Sequence, residues 1–139
     1  MSNNAVEGVN TLTFDLFGTV LDLAGSLMPH IDDFLSKRES PIDAAAFWAQ
    51  WRLRQRVEQY QDTLLMLGHS GYLTVCKYGF IYTLRSNNIP FTHEEVEEFM
   101  KVWQQLKPFE DAVNGLHRLK GHYKLVGLSN GEPWYLDHL

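Results

Sequence analysis

From Thr11 to Leu21 the chain reads TLTFDLFGTVL, an apolar and β-branched run that predicts a strand stopping at Gly18, with one carboxylate, Asp15, at its downstream end. Ser40-Pro41-Ile42-Asp43 supplies an N-cap, a proline at the first helical position and an acid at the third. It predicts a helix through Phe47, Trp48, Trp51 and Val57 to about Tyr60. A second helix is expected over roughly Tyr72 to Arg85, broken by Asn87-Asn88-Ile89-Pro90. Thr92-His93-Glu94-Glu95 has the form of a capping box, and the helix it opens carries Val96, Phe99, Met100 and Trp103 at the spacing of a packed stripe, up to a stop at Pro108.

Downstream the pattern shortens. Asp111 to Lys120 predicts an amphipathic helix with Val113, Leu116 and Leu119 inward, stopped by Gly121. Tyr123 to Leu128 (YKLVGL) reads as a second buried strand running into Ser129-Asn130-Gly131, and Glu132-Pro133 opens another helix. Strand, long helical stretch, helix, strand, helix is an α/β order with parallel strands and a helical domain set between the first two of them.

The 139 residues are 45% apolar, about one domain's worth of ordinary globular composition. Seventeen acids against twelve bases give a net charge of −5, with no basic surplus to draw a nucleic acid. A lone Cys76 forms no internal disulfide, and the residues from Met1 to Asn10 lack the features of a secretory leader, so a reducing cytoplasm is expected. Apolar runs such as Leu64-Leu65-Met66-Leu67 are far below the roughly 20 residues that span a bilayer, and no membrane association is expected. An apolar face of the helical insertion leaves room for a homodimer or for covering a pocket.

In a parallel sheet, ligands bind at the carboxyl ends of the strands. Asp15 with Gly18-Thr19 follows the first, and Ser129-Asn130-Gly131 the second. Taken singly, the carboxylate reads as a turn cap and the tripeptide as a plain strand-to-helix turn. Side by side they place one carboxylate next to two hydrogen-bonding side chains and a helix start, an arrangement that holds an anion near a nucleophile.

Phe14-Asp15-Leu16-Phe17-Gly18-Thr19-Val20-Leu21 resembles the first motif of the haloacid dehalogenase superfamily, and Leu128-Ser129-Asn130-Gly131 resembles its second. Three features bring the chain nearest to the type II, (S)-2-haloacid dehalogenases: the aromatic at Phe17, Ser-Asn-Gly-x-Pro at 129–133, and a Trp-Arg-x-x-Gln stretch at Trp51-Arg52-Leu53-Arg54-Gln55. The resemblance implies a Rossmannoid parallel-sheet core with a helical cap inserted after the first strand: core over 1–24, cap over 25–106, core again over 107–139. It implies hydrolysis of short 2-halocarboxylates, with Asp15 as nucleophile and no metal or cofactor. Thr19 would hydrogen-bond the nucleophile, Ser129 would hold the substrate carboxylate, and Arg52 and Asn130 would receive the halide. Tyr72 lies near the position of an aromatic that walls the halide, with helix packing as its other reading.

Position 17 separates this reading from its rival. Phosphatases of the superfamily resemble Asp-x-Asp-Gly-Thr, whose second acid protonates the leaving alkoxide. The phenyl ring of Phe17 donates no proton and binds no metal, whereas a departing halide needs no proton. A phosphatase or phosphotransferase and a non-catalytic truncated protein are the alternatives. The resemblance also implies a lysine and an acidic motif beyond the second motif, and the sequence reaches Leu139 before either, so it is expected to represent the N-terminal part of such an enzyme. The six histidines show no ligand spacing, and Cys76 reads as a small buried hydrophobe.

Overall fold

The computed structural model describes residues 8–66 and 68–139. In chain order the elements are β1 (Thr11–Phe14), β2 (Leu21–Asp22), α1 (Leu23–Ser36), α2 (Ala44–Leu64), α3 (Tyr72–Ser86), α4 (His93–Met100), a 3-10 helix (Lys101–Gln105), β3 (Lys107–Pro108), α5 (Glu110–Lys120), β4 (Lys124–Gly127) and α6 (Pro133–Leu136). They pack as two units. One runs to Leu23 and resumes over Lys107–Ser129; the other comprises Ala24–Leu106 and Asn130–Leu139.

In the first unit, β1 and β4 pair in parallel, with Thr11 opposite Lys124 and Phe14 opposite Gly127, joined across their ends by Leu128 N–H donating to the Phe14 carbonyl at 2.7 Å. The β1 strand is shorter than the apolar run predicts and ends four residues before Gly18. A tight turn takes over there: the Leu16 carbonyl accepts from Val20 at 3.1 Å and Leu21 at 2.9 Å, and Gly18 stands at φ 91°, where a Cβ is strained. Pro108 lies in β3, paired antiparallel with β2, and not at the end of a helix. The strand at 124–127 is not buried. In a two-stranded sheet both strands are edges, and Val126 is 37% exposed. On α5 no residue is fully buried, and Val113, expected inward, is 42% exposed.

The second unit is helical around an aromatic core. Phe47, Trp51, Phe80 and Trp103 are fully buried, the rings of Phe80 and Phe99 stack with centroids 4.4 Å apart, and Trp51 Nε1 donates to the Cys76 carbonyl at 2.7 Å, tying α2 to α3. Cys76 itself is fully buried.

Local starts and stops follow hydrogen bonding. The capping box at α4 forms in both directions, Glu95 N–H to Thr92 Oγ1 at 3.2 Å and Thr92 N–H to Glu95 Oε2 at 2.7 Å. The cap of α2 is Asp43, not Ser40: Asp43 Oδ1 accepts from Ala46 N–H at 2.7 Å, while Ser40 N–H closes the turn after α1 by donating to the Leu35 carbonyl at 3.2 Å. From there α2 continues to Leu64, one turn beyond Tyr60. After Met100 the helix tightens to the 3-10 form, which keeps Trp103 inward.

The sequence reading missed α1. It contains Pro29 and Gly25-Ser26, which obscure the helix, yet Leu27, Ile31, Phe34 and Leu35 form a buried stripe at helical spacing. Among the described residues no helix is long and apolar enough to cross a membrane.

Candidate active site

Asp15 follows the last residue of β1, and the backbone turns back on itself immediately after it. That turn carries Thr19 round to the carboxylate, and Thr19 Oγ1 donates to Asp15 Oδ2 at 2.9 Å. Phe17, between them, is turned inward and buried. The parallel pairing of β1 with β4 sets the ends of the two strands beside each other, so Asp15 and Ser129 leave the same end of the sheet. Asp15 and Thr19 are solvent-exposed, and Ser129 is half-buried. The threonine fixes the direction of one carboxylate oxygen.

The remaining predicted residues lie in the helical unit. Arg52 sits on α2 next to the buried Trp51, its guanidinium 5.4 Å from the ring centre of Trp48, and it donates to Gln55 Oε1 one turn on. Gln55 is 1% exposed and Tyr72, at the start of α3, 2%. Burial pushes the Tyr72 phenol well above its ordinary range, the nearby Cys76 thiol adds to the rise, and Arg52 and Gln55 oppose it. Burial likewise raises the Cys76 thiol, with Arg52 opposing. Arg52, Gln55, Tyr72 and Cys76 therefore form one polar knot in the aromatic core. Its guanidinium is the cationic group, and the buried Gln55 side chain accepts from it and orients it. Asn130, exposed, belongs to this unit, with its carbonyl 3.2 Å from His69 Nε2.

No profile of a known protein family matches the chain. The (S)-2-haloacid dehalogenase 4A of Burkholderia cepacia is 26% identical over 133 residues, which cover 95% of this chain and 54% of that protein. A defluorinating L-2-haloacid dehalogenase superposes with a TM-score of 0.79 at 27% identity, over 94% of this chain and 54% of the other. The chain is haloacid dehalogenase-like. The L-2-haloacid dehalogenase of Xanthobacter autotrophicus carries the same fold, with a TM-score of 0.75 at 24% identity over 94% of this chain and 50% of that one. The chain thus spans about half the length of the curated relative it matches.

Two residues of this haloacid dehalogenase-like chain were given no site role from the sequence, although Gln55 closes the Trp-Arg-x-x-Gln stretch and Glu132 precedes the proline that opens α6. Gln55 is a buried polar side chain on Arg52; its signal was the three-residue spacing on one helix face. Glu132, the residue before α6, approaches Gly71 so closely that a Cβ there would collide with Glu132 Oε1, and Gly71 stands at φ 95°. A pattern of apolar and polar positions carries no trace of that contact, because the two residues are distant in sequence.

Proposed function

We propose that this chain carries the nucleophile of a cytoplasmic hydrolase that converts short (S)-2-haloacids to 2-hydroxyacids through an aspartyl ester. The observation that carries the reading is Asp15 at a strand end with Thr19 donating to one of its oxygens and a buried phenyl ring at position 17. The relatives named above support it, as does the lone buried Cys76 for a reducing compartment.

In this reading the free oxygen of Asp15 attacks C2 of the substrate from the side opposite the halogen. The C–O bond forms as the C–halogen bond breaks, and the halide leaves with the bonding pair. Water then adds to the ester carbonyl carbon and releases the hydroxyacid, which takes up a proton as Asp15 is regenerated. Thr19 holds the nucleophile, and Ser129 binds the substrate carboxylate. Arg52, steadied by Gln55, stabilises the departing halide together with Asn130, and Tyr72 walls that side. Residues 25–106 act as a cap domain, and 1–24 with 107–139 as core segments.

The side chain at 17 offers neither a proton for an alkoxide nor an oxygen for a metal, so halide is the leaving group that suits it. Halide release from (S)-2-chloropropionate, measured against its R isomer and an aryl phosphate, tests the assignment. The chain is assayed joined to the downstream half of a 2-haloacid dehalogenase, where the resemblance puts a lysine. Chloride release confined to the S isomer and unaffected by chelator supports the proposal; phosphate release that dwarfs it contradicts the proposal.

A further inference from the structure

Asn130 is exposed in the turn before α6, where a residue without a tether samples many directions. Among the described residues its one hydrogen-bond partner is His69, whose Nε2 lies 3.2 Å from the Asn130 carbonyl. A carbonyl oxygen only accepts, so Nε2 carries the proton and donates. A second contact joins the same two segments, with Glu132 Oε1 packed against Gly71 where no Cβ would fit. The two contacts are two residues apart on both segments, 69 and 71 on one side and 130 and 132 on the other.

His69 is itself held by what surrounds it. It lies between α2 and α3, in a segment where Met66 stands at φ 52°, Gly68 at 81° and Gly71 at 95°. Asp62, in the last turn of α2, accepts twice from Ser70, from its N–H at 2.9 Å and from its Oγ at 2.7 Å, which pins the residue next to His69. The Asp62 carboxyl is held below its ordinary range chiefly by the Ser70 hydroxyl, then by the Ser70 N–H, with His69 adding to the effect. A chain of contacts therefore runs from the end of α2 through Ser70 and His69 to the main chain of Asn130. We propose that His69 is a positioning residue for halide release, holding the Asn130 turn against the end of the helix that also carries Arg52. Both groups offered to the departing halide are then referred to one helix, which keeps their spacing constant. His69 touches no reacting atom. The inference rests on the catalytic reading for the role of Asn130, and on the contacts alone for the tether.

Two readouts separate the tether from its consequence. In the 139-residue chain, the backbone nitrogen-15 order parameters of Asn130 and Gly131 should fall in His69→Leu from the rigid range of about 0.85 toward about 0.6. They should return in His69→Gln, whose amide nitrogen supplies a donor in the place of Nε2. Helical circular dichroism and Tm should stay unchanged, because His69 is exposed. In the chain joined to the downstream half of a 2-haloacid dehalogenase, His69→Leu should lower kcat on (S)-2-chloropropionate about two- to tenfold, the worth of one hydrogen bond, with KM unchanged and glutamine restoring the rate. Asn130→Ala is the reference. Unchanged order parameters in His69→Leu overturn the proposal whatever the kinetics, and so does a loss that glutamine does not restore. A silent His69→Leu beside a damaging Asn130→Ala overturns the positioning role and leaves the halide reading standing. If Asn130→Ala is silent as well, the halide role of Asn130 fails and the proposal falls with it.

Discussion

Thr19 Oγ1 donates to Asp15 Oδ2 at 2.9 Å across the turn that ends β1. The bond occupies one carboxylate oxygen, which in the proposed reaction leaves the other to attack, and its geometry depends on Gly18 at φ 91° inside the same turn. Thr19→Val should lower the rate of halide release about tenfold or more, the scale of a lost hydrogen bond to a charged group, while Thr19→Ser should retain most of it. Steady-state chloride assays on the two variants check this.

Arg52 and Arg54 are two residues apart on α2 and have different partners. The Arg52 guanidinium is held by Gln55 beside the buried Tyr72, and that of Arg54 pairs with Glu58. Arg52→Ala should reduce kcat about 10²–10³-fold, the effect of removing one preorganised donor from a developing charge, and Arg54→Ala should do little. Equal and small effects would remove Arg52 from the halide site. Gln55→Ala should fall between the two, acting through the orientation of Arg52.

Gly71 is constrained twice, by a positive φ and by Glu132 Oε1. Gly71→Ala should destabilise the fold by about 1–3 kcal/mol, and adding Glu132→Ala should recover only part of that, since it relieves the collision and not the backbone strain. Thermal melts of the single and double variants read the difference.

The Glu95 carboxyl is held below its ordinary range, chiefly by the Thr92 backbone N–H and further by Arg38. A depressed carboxyl stabilises the folded chain above its unfolded value and loses that contribution as pH falls through its folded one. The melting temperature should therefore drop more steeply below about pH 4 in the native chain than in Glu95→Gln. Superimposable pH profiles would show that the box contributes nothing in solution.

The reach of sequence reasoning follows from which forces were local. The Thr92–Glu95 box, the proline opening α6 and the parallel strands flanking a helical stretch all rest on neighbours in sequence or on periodicity, and they were legible. The start of α2 was ambiguous because Ser40 and Asp43 are both competent caps, and the choice came from Ser40 closing the preceding turn onto Leu35. The exposure of Val113 and Val126 was illegible, because an apolar residue looks the same whether or not another layer covers it. At the site, the closeness of Thr19 to Asp15 was expected from the motif it resembles. The knot of Arg52, Gln55, Tyr72 and Cys76 joins two helices, and no single-helix pattern holds it.

The central claim is that Asp15 becomes esterified, and the origin of one oxygen atom tests it most directly. In a single turnover with enzyme in excess in heavy-oxygen water, the carboxylate supplies the oxygen that ends on C2, and water attacks the ester carbonyl afterwards. The first 2-hydroxyacid should therefore carry ordinary oxygen in its new hydroxyl, with the heavy isotope found by mass spectrometry in the peptide containing Asp15. Heavy oxygen in the product hydroxyl and none in that peptide would mean direct attack by water, and would contradict the account.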